Sequence, residues 1–122
     1  KIIADPETVA TAIRIGNPQS WDLAQAARSE SGGWFVAHED QLILDAQQYL
    51  AQREGIFCEP ASAVSVAGLI SALGESAIPD QSVVVCTLTG HGLKDPDTAI
   101  SQSPKPLRVA SNLGAVRDAI LR

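Results

Sequence analysis

Aromatic side chains are scarce in these 122 residues, at 4%, while Ala, Val, Ile and Leu are abundant. That balance suits closely packed helices and buried strands better than an all-β sandwich. Cysteine is nearly absent. Cys58 and Cys86 stand far apart, each inside an apolar or small-residue run, the usual place of a reduced core thiol. Neither a disulfide nor a cysteine metal site is expected. No basic block and no stripe of Arg or Lys with aromatics occurs, so the electrostatic footprint of nucleic-acid binding is missing. Apolar stretches are short and broken by Ser, Gly or Glu, and none approaches the roughly 20 residues that span a bilayer. No signal-peptide pattern opens the chain. A cytoplasmic protein, or one of the plastid stroma, is expected. There is no Met before Lys1-Ile2-Ile3, which leaves room for a fragment or a processed product.

What is present describes an ordinary globular chain. It is 45% apolar and 19% charged, which excludes a disordered tail, and its net charge of −5 is spread along the sequence. Thr8 to Ile15 is rich in β-branched residues and runs into Gly16-Asn17-Pro18, predicting an extended segment ended by a turn. Ser20 is a fitting N-cap for a helix through about Ser29, stopped by Ser31-Gly32-Gly33. Trp34 to Ala37 reads as a short strand, with Trp21 and Trp34 as packing groups and His38 as a helix-entry residue. From about Glu39 to Arg53 the helical period is clear, with Leu42, Ala46, Tyr49 and Leu50 on one face. Gly55 closes it.

A short strand at Ile56 to Cys58 leads into Glu59-Pro60, and proline belongs at a first helical position. The helix from Pro60 to about Leu73 is apolar or small nearly all round, predicting burial on every side. Ser82 to Leu88 is the strongest strand, apolar without alternation, the mark of a parallel strand covered on both faces. Thr89-Gly90-His91-Gly92 follows it. Asp95-Pro96 then starts a short helix to about Ser101, and Ser103 to Arg108 reads as a linker. A last amphipathic helix begins at Ser111 or Asn112, with Leu113, Val116, Ile120 and Leu121 inward. Alternating helices and buried strands mean an open α/β sheet. The chain supplies too few strands to complete one, so the sheet needs partners from elsewhere.

Ligands of open α/β sheets sit beyond the carboxyl ends of the strands, where Thr89-Gly90-His91-Gly92 lies. Its glycines let a ligand approach the backbone. On spacing alone it reads equally well as a plain strand-to-helix turn. It is neither a phosphate-binding GxxxxGK[ST] loop nor a GxGxxG fingerprint, since Asp95 stands where the third glycine should be. Glu59 reads equally as a capping carboxylate or an active-site group. A cysteine/histidine hydrolase built on Cys58 or Cys86 with His91 has little support, because a thiol in an apolar run is a poor nucleophile.

Three segments carry a resemblance. TVATAIRIGNPQSW (Thr8 to Trp21), GIFCEPASAVSVAGL (Gly55 to Leu69) and VCTLTGHGLKDPD (Val85 to Asp97) resemble, in this order, the C-terminal part of the threonine synthase family. The related threonine dehydratases carry an EPAGA-like helix start but end their strand in a Ser-Gly-Gly-Asn type of loop, and Thr-Gly-His-Gly favours the synthases. The resemblance implies a fold type II enzyme dependent on pyridoxal 5'-phosphate: a three-layer α/β sandwich with a mostly parallel sheet flanked by helices, its N-terminal part missing here. Residues 1–102 would belong to the large cofactor domain, and 103–122 would be linker and C-terminal helix.

The activity it implies for the full-length protein is conversion of O-phospho-L-homoserine and water to L-threonine and phosphate. The cofactor-binding residues it implies are Thr89, Glu59 and Gly90, with Ala12 and Ile13 as a substrate-side wall, and no metal. Thr89 would face the pyridine nitrogen. A neutral hydroxyl there makes the ring a tempered electron sink, where a carboxylate would enforce a pyridinium. No catalytic residue is expected in this chain, because the Schiff-base lysine is expected upstream; Lys94 has no matching surroundings, and Lys1 and Lys105 are no better. The fragment alone is expected to be inactive, and the whole enzyme to be a homodimer. Arg14, Asn17 and His91 are weaker candidates, since the family's main phosphate-binding groups lie upstream and a histidine between glycines more often shapes a loop. The other readings are a dehydratase-like member of the same family, and a non-catalytic α/β binding or structural module derived from such an enzyme.

Overall fold

Proline at position 60 and glycines at 32 and 55 punctuate the chain as the sequence predicts. The computed structural model describes residues 2–121. Among them are five helices: α1 (Trp21–Ser31), α2 (Asp40–Tyr49), α3 (Pro60–Gly74), α4 (Pro96–Gln102) and α5 (Leu113–Ile120). Gly32 ends α1 at φ 69°, a left-handed conformation that suits glycine. α2 runs on into a wider π-type turn, Leu50–Glu54, which Gly55 closes at φ 66°. Pro60 opens α3. Asp95 caps α4, its carboxylate accepting from the Thr98 N–H at 3.3 Å. Asn112 caps α5 through the Ala115 N–H at 2.9 Å. Ser20 stands before α1 as expected but makes no side-chain cap.

The core is the seam between α2 and α3. Ile43, Ala46 and Leu50 pack with Ala63, Ala67, Cys58 and Ala10. Alanines on α3 let the two helices approach closely. The inward face of α2 is therefore Ile43, Ala46, Gln47 and Leu50, and the predicted Tyr49 is exposed. Gln47 is tolerated there because its amide donates to the Cys58 carbonyl at 2.8 Å. Asp40, in the first turn of α2, accepts from the Thr8 hydroxyl at 2.6 Å and the Val9 N–H at 3.1 Å. Those bonds pin the N-terminal segment and bury Ala10.

Four expectations need correction. Thr8 to Ile15 is not a continuous extended segment, because Thr11–Ile13 forms a 3₁₀ turn. α3 is covered on one side only: Ile70 and Leu73 are exposed. Trp21 and Trp34 are exposed too, although Trp21 stacks on Phe35 with centroids 6.3 Å apart. Leu113, Val116 and Ile120 of α5 are exposed, as is Leu121 just after it.

Strands are the remaining difference. Trp34 to Ala37, Ile56 to Cys58 and Ser82 to Leu88 form no ladder among the described residues. An isolated antiparallel bridge pairs Cys58 with His91. Residues 82–88 nonetheless behave as one surface of a strand. Val84, Cys86 and Leu88 lean towards the helices, while Val83 and Val85 are 95% and 85% exposed. A period of two is that of an extended chain with one face covered. Ser65 of α3 holds the segment, its hydroxyl donating to the Thr87 carbonyl at 3.3 Å and its carbonyl accepting from the Cys86 thiol at 3.6 Å. Trp34, Val36, Val84 and Cys86 line one groove of about 430 Å³ over Gly68 and Leu69. A ladder needs a second strand alongside, and none of these segments lies in register with another.

Candidate cofactor site

Thr89 to Lys94 crosses the N-terminal end of α3, and the two segments are joined by short hydrogen bonds. The Glu59 N–H donates to the Gly90 carbonyl and the Gly92 N–H to the Phe57 carbonyl, each at 3.0 Å. Between them, Ser62 of α3 reaches into the loop. Its hydroxyl accepts from the Gly90 N–H at 2.6 Å, lies 3.2 Å from the Gly90 carbonyl, and lies 3.2 Å from the Thr89 hydroxyl. Ser62 is 1% exposed. A serine on so apolar a helix must find a partner, and this one finds three.

Glu59 is buried, 3% exposed, in the N-cap position of α3, yet its carboxylate caps nothing. It lies over Gly90, where a Cβ would overlap it. The Lys94 ammonium stands 3.7 Å from Oε1. Gly92 is filled in the same way by the Phe57 ring, which meets the His91 imidazole edge-on at 5.3 Å. His91 Nδ1 accepts from the Leu93 N–H at 3.2 Å. That bond shapes the loop and occupies the nitrogen a base would use.

The far end of the loop is tied to the N-terminal segment. The Thr11 hydroxyl donates to Asp95 at 2.9 Å, so the 3₁₀ turn carrying Ala12 and Ile13 is held to the same loop as Thr89. Burial pushes the Asp95 carboxyl up, but hydrogen bonds from Thr11 and Thr98 and the charge of Arg14 outweigh it and leave the group below its ordinary value. Arg14 itself is exposed and folds back to donate twice to the Thr8 carbonyl, at 2.9 and 2.7 Å. Burial, aided by the neighbouring Glu59 charge, pushes the Cys58 thiol up against the pull of its own backbone. Such a thiol is a packing group. Among the described residues no cluster of three His, Cys, Asp or Glu could hold a metal, and no helix is long and apolar enough to cross a membrane.

Thr89, Gly90 and Glu59 are thus brought together. Ala12 and Ile13 are exposed on their turn, which the Thr11–Asp95 bond ties to the loop. Asn17 is exposed near the N-terminal segment, and Lys105 beyond α4. Lys1 lies outside the described residues. Sequence reasoning missed Ser62 and the Thr11–Asp95 link. The signal for Ser62 was the polar residue itself, one turn into a helix of alanines and valines.

A family model described as pyridoxal-phosphate dependent enzyme matches residues 1–90. The chain belongs to the pyridoxal-phosphate dependent enzyme family. It is similar to threonine synthases: 48% identical over 119 residues to one from Mycobacterium bovis, covering 92% of this chain and 33% of the relative. A threonine synthase from Synechocystis sp. is 56% identical over 101 residues, 83% of this chain and 26% of that protein. One from Methanocaldococcus jannaschii is 49% identical over 113 residues, 93% and 28% of the two chains. The chain spans a third or less of the length of these relatives.

The residues here fit pyridoxal phosphate, the cofactor of the family. Thr89 is exposed and its hydroxyl is anchored on one side by Ser62, leaving hydrogen-bonding capacity free. Gly90 beside it has no side chain and no room for one. A neutral hydroxyl, exposed and held on one side, is a group suited to the edge of a flat aromatic ring.

Proposed function

We propose that this chain is the C-terminal part of a threonine synthase, and that the full-length protein converts O-phospho-L-homoserine and water to L-threonine and phosphate. The observation carrying the reading is the Ser62–Thr89–Gly90 cluster at the start of α3, in a chain about half identical to threonine synthases. Residues 1–102 belong to the cofactor domain, and 103–122 form a linker and C-terminal helix. The missing strands and helices of a three-layer sandwich come from the remainder of the polypeptide. So does the lysine that anchors the cofactor, and the isolated segment does not turn over substrate. The active protein is a cytoplasmic or stromal homodimer.

Bound there, pyridoxal phosphate would supply an electron sink for elimination of phosphate and addition of water. The part of this chain is to bind and orient. Thr89 offers its hydroxyl to the ring nitrogen without imposing a full charge. Gly90 makes room for the Glu59 carboxylate beside the loop. Glu59, buried and not engaged in capping, sets a negative charge beside the loop, and Lys94 balances it from the solvent side. The turn with Ala12 and Ile13 leaves small and apolar surface for the substrate chain.

The test is phosphate release from O-phosphohomoserine by the full-length protein, with threonine as the second product. Thr89→Val should lower kcat by about tenfold or more, the equivalent of one well-placed hydrogen bond at the reacting system. Deamination of threonine without phosphate release would establish the dehydratase-like alternative instead. A full-length protein that holds no cofactor would sustain the non-catalytic module.

A further inference from the structure

We propose that Lys94 is a positioning residue for the cofactor, whose ammonium lets Glu59 stay buried against Gly90 and so keeps the Thr89–Lys94 loop seated on the start of α3; this rests on the cofactor loop put forward above. Glu59 is 3% exposed, and its carboxylate makes no capping bond. Among the described residues the cation it meets is Lys94, 3.7 Å from Oε1. A carboxylate taken out of water without a counter-charge is costly, and its escape is to swing back to solvent. That escape would empty the space over Gly90, which both groups fill. A Cβ at position 90 would overlap the Glu59 carboxylate and lie 3.0 Å from the Lys94 ammonium.

The counter-charge comes from the loop itself. A 3₁₀ turn, Gly92–Lys94, folds Lys94 back, with the Lys94 N–H donating to the His91 carbonyl at 3.0 Å and the Asp95 N–H to the Gly92 carbonyl at 3.1 Å. Glu59 thus holds the loop at two points, through its own N–H on the Gly90 carbonyl at 3.0 Å and through the ion pair. Burial of the pair is lopsided: the Lys94 side chain is 61% exposed and that of Glu59 4%. Without the Glu59 charge the ammonium returns to water at little cost, whereas without the Lys94 charge an anion is stranded inside. The exposed partner is therefore the one whose removal matters more, the reverse of what side-chain packing alone would give.

The experiment follows release of pyridoxal phosphate from the full-length protein, by its absorbance after dilution and without substrate, in a cycle of charge variants. Lys94→Met should speed release about tenfold, the order expected for a buried charge left partly uncompensated near solvent. Lys94→Arg, which keeps the charge, should stay within about twofold of the wild type. Glu59→Gln should speed release less than Lys94→Met does, and adding it to Lys94→Met should bring release back towards the wild type. If Lys94→Met does not fold, Lys94→Gln removes the charge but keeps a donor within reach, and its faster release should be relieved by Glu59→Gln in the same way. Release unchanged by loss of the Lys94 charge, or single effects that add in the double variant, overturns the proposal. A protein that holds the cofactor but frees no phosphate from O-phosphohomoserine sinks the threonine synthase reading and leaves the pair to be judged by the cycle. A full-length protein that holds no pyridoxal phosphate overturns both.

Discussion

The Thr11 hydroxyl donates to the Asp95 carboxylate at 2.9 Å across 84 residues of sequence. It joins the N-terminal turn to the cap of α4, just beyond the loop that carries Thr89. Asp95 is buried, and its hydrogen-bonded neighbours and Arg14 hold its carboxyl below the ordinary 3.8 in spite of that burial. The folded state then binds fewer protons than the unfolded one in this range. The stability from this site is complete above the ordinary value, and it is lost as pH falls below about 4 towards the folded value. Asp95→Asn keeps a capping oxygen but removes the charge, so acid denaturation of the full-length protein should flatten at its low-pH end. Thr11→Val should cost about 1–2 kcal/mol at pH 7 and progressively less as pH falls below about 4. Urea midpoints across pH 2–7 check both, and parallel curves for wild type and Thr11→Val would remove the link.

Gly90 answers to Glu59. A methyl group at 90 collides with a buried carboxylate, which must move or push the loop away from α3, breaking bonds that Ser62 makes. Gly90→Ala should therefore destabilise by about 1–3 kcal/mol, as overpacking does. The cost should fall by at least half when Glu59→Ala is added. A double-mutant cycle by chemical denaturation reads that coupling. Additive effects would mean that the two residues do not share the space.

Much of this was legible along the chain. Pro60, Gly32, Gly55 and Asn112 act within a few residues of themselves, so their helix boundaries could be read from local chemistry. The meeting of Glu59 with Thr89 and Gly90 was legible only by resemblance, because no local rule brings residues 30 positions apart together. Other features were hidden for physical reasons. The 3₁₀ turn at Thr11–Ile13 overrides a β-branched run because Thr11 is drawn to Asp95. The face of α2 was misjudged by one position, since Gln47, polar by itself, is buried by a hydrogen bond to Cys58. Residues 82–88 read as a strand from their apolar run, but a strand exists only with a neighbour, and among the described residues they form no ladder.

That last point makes a measurable claim. The N–H groups of Val83 to Leu88 donate no backbone hydrogen bond among the described residues, and Val83 and Val85 point away from α3. Backbone groups left bare beside an apolar face are costly to bury unpaired. If residues 82–88 are an inner strand of the whole protein, both needs are met at once: flanking strands take the N–H groups, and a second layer of helices covers the valines. In the full-length protein the amides of 83–88 should then resist hydrogen exchange as strongly as those in the middle of α3, at least about a thousandfold slower than free peptide. Val85→Asp should destabilise the full-length protein by about 2–4 kcal/mol, the range for a charge forced into a core, where an exposed site would change by no more than about 0.5. Fast exchange at 83–88, with Val85→Asp tolerated, would leave the segment an open edge and the sheet without its central strand.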